Sequence, residues 1–397
     1  MLVRYSSNQD GKPIKKAIIY TSDEHCIKNS DIDSDALKVI TQLKGFGFSA
    51  YLVGGAVRDL LLGRKPKDFD IVTDATPSKI KKLFRNSRII GRRFRLVHVF
   101  FGSKIFEVST FRSISSGTVG NNFGTMDEDV QRRDFTLNAL YYDPLKMQII
   151  DYVGGFRDIK KGIIKPVIPL ETIFVEDPVR MLRAVKYAAS TGFKLPVPLK
   201  RKICKSAHLL SPVSPSRLTE ELLKIINSCH SFDIVKLCLE TDLYMYLQPG
   251  ATSFMYEMHG FEKKYLNRLK QLDAMNYINP EARLGQKLTY IIYDFIESLT
   301  DWKKEISVSQ AGELYTKTWT QCRNFVLPMN PQRTELEFAI REVLRKLGVT
   351  MRIPKTAFSN KKKNNKKKGK KLKSQNESEL ISTKIEDNNQ LENISVG

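Results

Sequence analysis

The sequence predicts an α+β head built on a mixed sheet, then a stretch of helices alone, then a disordered basic tail. Three observations predict it. Between Asp35 and about Pro169, short β-rich runs alternate with amphipathic segments and Gly turns. From there to about Leu347 the strong periodicities are all helical. Beyond Met351 large apolar residues almost vanish, and Lys355 to Lys373 hold ten lysines and no acid. Such a segment cannot bury enough apolar surface to offset its ordering entropy.

Taken in order, residues 1–35 carry no strong period and read as a loosely attached arm. DALKVITQLKGFG has apolar residues at helical spacing and a Gly stop. FSAYLVGG is a short strand ended by Gly54-Gly55, and AVRDLLLG a short helix. DFDIVTDA reads as a strand, and Thr76-Pro77 opens a helix with Pro in its first turn. SRIIG, FRLVHVFFG and KIFEVSTFR follow as strands between Gly turns. Residues 112–128 read as a loop, QRRDFTLNALYY as a helix running into a strand, and MQIIDYVGG as a further strand. VEDPVRMLRAVKYAASTGF is a helix with Asp177 at its cap and Gly192 as its stop, and SPSRLTEELLKIINSC is another.

The chain has 397 residues, 41% hydrophobic and 27% charged, which excludes wholesale disorder and collagen-like composition. No apolar run approaches the roughly 18–20 residues of a membrane span, and MLVRYSSNQD lacks a signal-peptide core. Five scattered cysteines form no CxxC and read as reduced thiols in a cytoplasmic protein. A net charge of +22 points first to nucleic acid. The lysine run, with Lys361, Lys362, Lys363, Lys366, Lys367 and Lys368 at its centre, is expected to attract phosphate backbones, as are Arg92 and Arg93 within the fold.

The sharpest chemical feature is Asp68-Phe69-Asp70. On a strand, residues i and i+2 share a face, so both carboxylates project side by side and repel unless a cation sits between them. Hard oxygen donors on a rigid element suit Mg²⁺; the plain alternative is a solvated turn. Gly54-Gly55 ahead of Arg58 is the second feature. A strand ending in two glycines and opening a helix lets backbone N–H groups approach phosphate, with Arg58 one turn in; an ordinary Gly turn beside a surface Arg is the alternative.

LVGGAVRDLLLGRKPKDFDIVTDATP resembles the signature of the polymerase-β-type nucleotidyltransferases that extend RNA 3′ ends, the class II CCA-adding enzymes and bacterial poly(A) polymerases. RRDFTLNALYYD and EDPVRMLRAVKYA resemble further motifs of that family, in the expected order. GRRFRLVHVFFG followed by IFEVSTFR, with the lysine-rich tail, most resembles the poly(A) polymerase I branch. The resemblance covers roughly residues 36–230 and implies an arm (1–35), a nucleotidyltransferase head (36–165), a helical neck that reads the base (166–230), a helical RNA-binding body (231–350) and the tail (351–397).

It also implies roles. Asp68 and Asp70 would hold two Mg²⁺ ions, with Glu107 as a third carboxylate; an edge-strand acid paired with Arg112 is its alternative. Gly54, Gly55 and Arg58 would contact the triphosphate. Asp134 resembles a catalytic position, although an Asp beside an Arg is also an ordinary cap; Arg132 and Arg133 would meet phosphate or ribose, and Asn138 the sugar. Asp177 and Arg180 would read the base edge, with Arg183 reaching phosphate; a capping Asp in an intrahelical ion pair is the plainer reading. The implied reaction is template-independent transfer of AMP from ATP to RNA 3′ ends. The alternatives are tRNA CCA or A addition by the same residues, and an inactive RNA-binding adaptor that kept the fold. RNA 3′ ends and ATP are the expected partners, with no membrane.

Overall fold

The computed structural model describes residues 2–7, 13–91, 95–113, 123–299, 302 and 308–349. Arg92, Arg93 and the six tail lysines lie outside them. Two compact units divide the chain: 1–282 with 327–330, and 283–326 with the residues from 331 onward.

The first unit holds nine strands: β1 (Leu2–Ser7), β2 (Pro13–Tyr20), β3 (Ala50–Val53), β4 (Asp70–Thr73), β5 (Ser87–Ile90), β6 (Leu96–Phe101), β7 (Lys104–Thr110), β8 (Leu140–Asp143) and β9 (Gln148–Asp151). They form one mixed sheet ordered β1-β2-β9-β8-β3-β4-β7-β6-β5, in which β4 and β7 run parallel and every other pair antiparallel. Helices α1 (Ser34–Gly45), α2 (Gly55–Leu61) and α3 (Pro77–Leu83) pack on its strands. Asp33 caps α1 by accepting from the Asp35 amide at 2.8 Å, and α1 buries Ala36, Val39, Ile40 and Leu43. These are the apolar positions of its helical period.

Three local expectations are corrected. The arm contributes two strands, β1 at the sheet edge and β2 inside it, because β2 finds a partner in β9, with Ile19 opposite Ile150. The DxD is not wholly within a strand: β4 begins at Asp70, since β3 ends at Val53 and Asp70 is its last partner. The QRRDFTLNALYY segment ends a helix rather than opening one. Thr125 and Glu128 form a reciprocal capping box that starts α4 (Met126–Gln131), Arg132 closes it, and a short 3₁₀ turn over Thr136–Asn138 leads into β8.

Helix α5 (Gly155–Lys161) locks that turn in place. A side chain at Gly155 would stand 2.1 Å from the Thr136 carbonyl oxygen, so only glycine fits. Asp151 accepts from the amides of Val153, Gly154, Gly155 and Phe156 at 2.8–3.0 Å. Thr136 Oγ1 donates to Asp158 at 2.7 Å. The helices α6 (Ile173–Glu176), α7 (Val179–Thr191), α8 (Val197–Ser206), α9 (Pro215–Ile226), α10 (Ser231–Leu239), α11 (Tyr244–Leu247), α12 (Pro249–Glu257) and α13 (Phe261–Ile278) complete the unit. The expected boundary at 230 is no break: α10 packs on α7 and on α13, burying Ile234, Val235 and Cys238. The division falls at 282.

The second unit is helical among its described residues, with α14 (Leu284–Ser298), α15 (Val308–Phe325) and α16 (Arg333–Lys346). Phe295 stacks on Phe325 at 4.3 Å, and Trp302 donates to Thr318 at 2.9 Å. Among the described residues no helix is long and apolar enough to cross a membrane.

Candidate active site

The turn after β3 sets the geometry. Gly54 has φ +73° and ψ −132°, a conformation that side chains rarely adopt. A Cβ on it would lie 3.9 Å from an Asp70 carboxylate oxygen and 3.8 Å from the Arg133 guanidinium. Turn, acid and base therefore meet at one point. Parallel pairing adds a second acid: Ile71 lies beside Val108, both fully buried, which sets Asp70 and Glu107 next to each other on the alternate positions. Glu107 does not take the Arg112 partner considered from the sequence; it stands opposite His98, whose Nε2 is 3.5 Å from its carboxylate.

Asp70 reaches solvent, yet its carboxyl is pushed up to about 6. Burial contributes most, then the negative charges of Glu107 and Asp68; Arg133 opposes them. Arg133 has little to give because it is already engaged. It donates to Asp129 at 2.9 and 3.2 Å, to the Tyr141 hydroxyl at 3.1 Å and to the Asn138 carbonyl at 3.1 Å. Burial disfavours its charge, but Tyr141 and Asp129 outweigh that and raise its pKa. The rim thus holds negative charge that the fold leaves uncompensated.

The other predicted acid behaves differently. Asp134 is buried, accepts from the Phe135 amide at 2.7 Å and pairs with Arg183 Nε at 2.8 Å. Arg183 in turn donates to the Tyr187 hydroxyl at 3.1 Å. The Tyr187 ring lies under the Arg58 guanidinium at 5.4 Å, and Arg58 donates to Asn138 Oδ1 at 2.9 Å and to Asp59 at 2.8 Å. Asp134, Arg183, Tyr187, Arg58 and Asn138 so form one chain of contacts linking α7, α2 and the turn ahead of β8.

A cleft of about 660 Å³ opens on the acids. Gly55, Arg58, Lys65, Lys67, Asp68 and Asp70 line one side; Lys186, Tyr187, Thr191, Lys224, Asn227 and His230, from α7 and the end of α9, line the other. Arg64 bridges the two by donating to the Ser190 carbonyl at 2.8 Å. Glu221 holds Lys186 at 3.0 Å and Lys224 at 2.8 Å. Burial lowers the Lys186 pKa, with Glu221 acting against it.

Gly54, Gly55, Arg58, Asp68, Asp70, Glu107, Arg133 and Asn138 are thus brought to one neighbourhood. Arg132 is half-buried, with its pKa lowered first by burial and then by Arg112. Asp177 and Arg180 do not line the cleft. Nor do they form the intrahelical pair considered from the sequence: Asp177 accepts from Arg217 at 2.9 and 3.0 Å and caps Val179, while Arg180 donates to Glu176 at 2.8 Å. The sequence reading missed Lys186, Tyr187, Asp129 and Tyr141. The i, i+4 spacing of Arg183 and Tyr187 was the available signal for the first pair.

Among the described residues no three His, Cys, Asp or Glu side chains are gathered into a metal cage. The donors on offer are the Asp68 and Asp70 carboxylates with Glu107 behind them. Their mutual repulsion, visible at Asp70, fits a hard divalent cation that completes its shell from water and a bound phosphate.

Comparison with known proteins adds the following. Residues 50–165 match the model described as "Poly A polymerase head domain", and residues 192–255 the model described as "Probable RNA and SrmB- binding site of polymerase A". Poly(A) polymerase I of Escherichia coli O6:H1 is 45% identical over 251 residues, 59% of this chain and 54% of that protein. The match so spans about half of that relative's length. Poly(A) polymerase I of Salmonella typhi is 39% identical over 327 residues, 78% of this chain and 70% of that protein. The crystal structure of the Bacillus stearothermophilus CCA-adding enzyme in complex with CTP is 28% identical, covering 80% of this chain and 83% of that one, with a TM-score of 0.51.

Proposed function

This chain belongs to the family of poly(A) polymerases and CCA-adding enzymes, and from that premise we propose that it transfers AMP from ATP to the 3′ ends of RNA, without a template and with release of pyrophosphate. The observation that carries the reading is the cluster of Asp70, Glu107 and Asp68, in which burial first and then Glu107 and Asp68 raise the Asp70 pKa to about 6, at the mouth of a cleft whose walls bear Arg58, Lys65, Lys67 and Lys186. Acids short of a cation beside Lys65 and Lys67, which hold no carboxylate among the described residues, suit a metal-nucleotide complex.

Asp68 and Asp70 would hold Mg²⁺, two ions in the full complex, and metal bound there would lower the pKa of the RNA 3′ hydroxyl and stabilise charge on the α-phosphate. Arg58, fixed by Asn138, Asp59 and the Tyr187 ring, presents its remaining donor surface to the triphosphate, and the bare Gly54-Gly55 backbone lets phosphate approach. Asp134 works at one remove: it positions Arg183 and, through Tyr187, Arg58. Asp177 and Arg180 read the base by exchanging solvent-exposed ion pairs for the base edge. Such pairs are worth about 0–1 kcal/mol, so the exchange is cheap. The tail lysines and the Arg92-Arg93 pair supply phosphate contacts.

Polyadenylation is favoured over CCA addition by the length of the match to poly(A) polymerase I, 45% identity over 251 residues and 39% over 327, against 37–39% over 222–225 residues for CC- and CCA-adding enzymes. The likeness to those enzymes and to the solved CCA-adding enzyme keeps CCA or A addition as the second reading. The test offers ATP or CTP with Mg²⁺ to an unstructured RNA and to a tRNA lacking its terminal nucleotides. Repeated AMP addition to both RNAs is expected. Addition of two CMP residues and one AMP confined to the tRNA would establish the second reading, and no addition of either would leave an RNA-binding adaptor.

A further inference from the structure

Glu107 reaches the rim from an exposed position on β7, and one side chain meets it there. In the antiparallel register of β6 and β7, His98 stands directly opposite Glu107, while the parallel pair β4–β7 sets Glu107 beside Asp70. Alternation fixes the face. Val97 and Val99, on either side of His98, are buried, as are Phe106 and Val108 on either side of Glu107. His98 and Glu107 therefore turn away from that core together, onto the face that carries Asp70.

Among the described residues the His98 ring is the one basic group within ion-pair distance of Glu107, with Nε2 3.5 Å from Oε1. His98 has no other polar side-chain partner among them; Phe100 meets its ring edge-on at 6.3 Å. The contact is long for a hydrogen bond, as contacts in a site often are before its ligand arrives. A Lys or Arg in this place would neutralise Glu107 and compete with a cation for it. An imidazole with its proton on Nε2 donates to one carboxylate oxygen, fixes the side chain and leaves the second oxygen open.

We propose that His98 is a positioning residue, whose ring holds Glu107 Oε1 so that the other oxygen is presented beside Asp70 to the metal of the nucleotide complex. The inference rests on these acids binding metal, as the proposed function requires. Carboxylates that ligate metals are steadied by such outer partners, and losing one costs about 10–100-fold in metal affinity or activity. The plain alternative is a histidine that only packs on the sheet.

The test compares two amides of different reach. In His98→Gln the side-chain amide nitrogen comes to the place of Nε2; in His98→Asn it stops one methylene short, at the place of Nδ1. Both are polar and suit the same half-buried position, and urea midpoints check both folds. Mn²⁺ is titrated into the ATP complexes of the full chain, each variant, Glu107→Gln, and the His98→Asn/Glu107→Gln double variant, with paramagnetic resonance reporting the free ion. His98→Asn should weaken Mn²⁺ binding about 10-fold and His98→Gln should keep it close to the unmutated value. In the Glu107→Gln background His98→Asn should add no further loss, because the residue acts through that carboxylate. Equal binding in His98→Asn and the unmutated chain would overturn the proposal. So would a loss of the same size with and without the Glu107 carboxylate, which would leave His98 a packing residue. Mn²⁺ binding untouched by Asp70→Asn would overturn the metal site itself, whereas binding lost in Asp70→Asn but kept in His98→Asn would overturn the role of His98 alone.

Discussion

Two carboxylate sites in the same unit are treated in opposite ways. At the cleft rim, Asp70 faces Glu107 and Asp68, and its nearest base, Arg133, is already engaged by Asp129 and Tyr141. Behind the cleft, Asp134 is buried with an amide and the Arg183 guanidinium as its own. The fold supplies a counter-charge to the acid it uses as architecture and withholds it from the acids we propose for the chemistry. Charge left uncompensated points to a ligand that arrives from outside.

That contrast can be broken by mutation. Asp70→Asn should lower nucleotide addition by about 10³-fold or more, the several kcal/mol that a bound metal contributes, while circular dichroism and RNA binding stay near the unmutated values. Activity within a few-fold of normal in Mg²⁺ would remove Asp70 from the metal site. Arg183→Met should do the reverse and act first on stability. It leaves Asp134 buried without its partner, which costs about 2 kcal/mol in urea unfolding; the figure is at the low end for a broken pair because Arg183 is partly exposed. An unchanged midpoint would mean the pair carries no structural load.

The rim was readable from sequence because its parts are local. Two glycines at a strand end, an arginine one turn on and two acids two apart need no knowledge of the fold. Even so, the strand reached only Asp70, because the Gly54 turn removes the partner that Asp68 would have needed. The buried strut was not readable: Asp134 and Arg183 are joined by the packing of α7 against the turn ahead of β8, and no pattern near either names the other. Strand β2 was missed for the same reason, since its partner β9 is far along the chain. The start of α4 could have been found, because Thr125-Met-Asp-Glu128 is a capping box written in the sequence. The helical second unit was legible only as helical, with nothing to say where the chain divides.

Smaller effects sharpen the comparison. Asp177→Ala and Arg180→Ala should each relax the preference for ATP over CTP by about 10-fold, the worth of one charge-assisted hydrogen bond. Selectivity unchanged in both would return them to the surface pairs they make with Arg217 and Glu176. The smallest effect is on the metal-free protein. The folded Asp70 pKa of about 6 exceeds the ordinary value of 3.8. Between the two the folded chain keeps a proton that the unfolded chain has released, so stability falls as pH rises through that window. Asp70→Asn should therefore be slightly the more stable protein above pH 6, by less than about 1 kcal/mol given the solvent around Asp70. Equal melting curves at pH 4 and pH 7 for both proteins would deny the repulsion.

The most direct measurement is calorimetric titration of Mn²⁺, standing in for Mg²⁺, into the ATP complexes of the unmutated chain, Asp70→Asn and Asp134→Asn. The unmutated chain and Asp134→Asn should bind the metal alike, and Asp70→Asn should lose it. Metal binding lost in Asp134→Asn and kept in Asp70→Asn would place the chemistry at the buried acid and contradict the account.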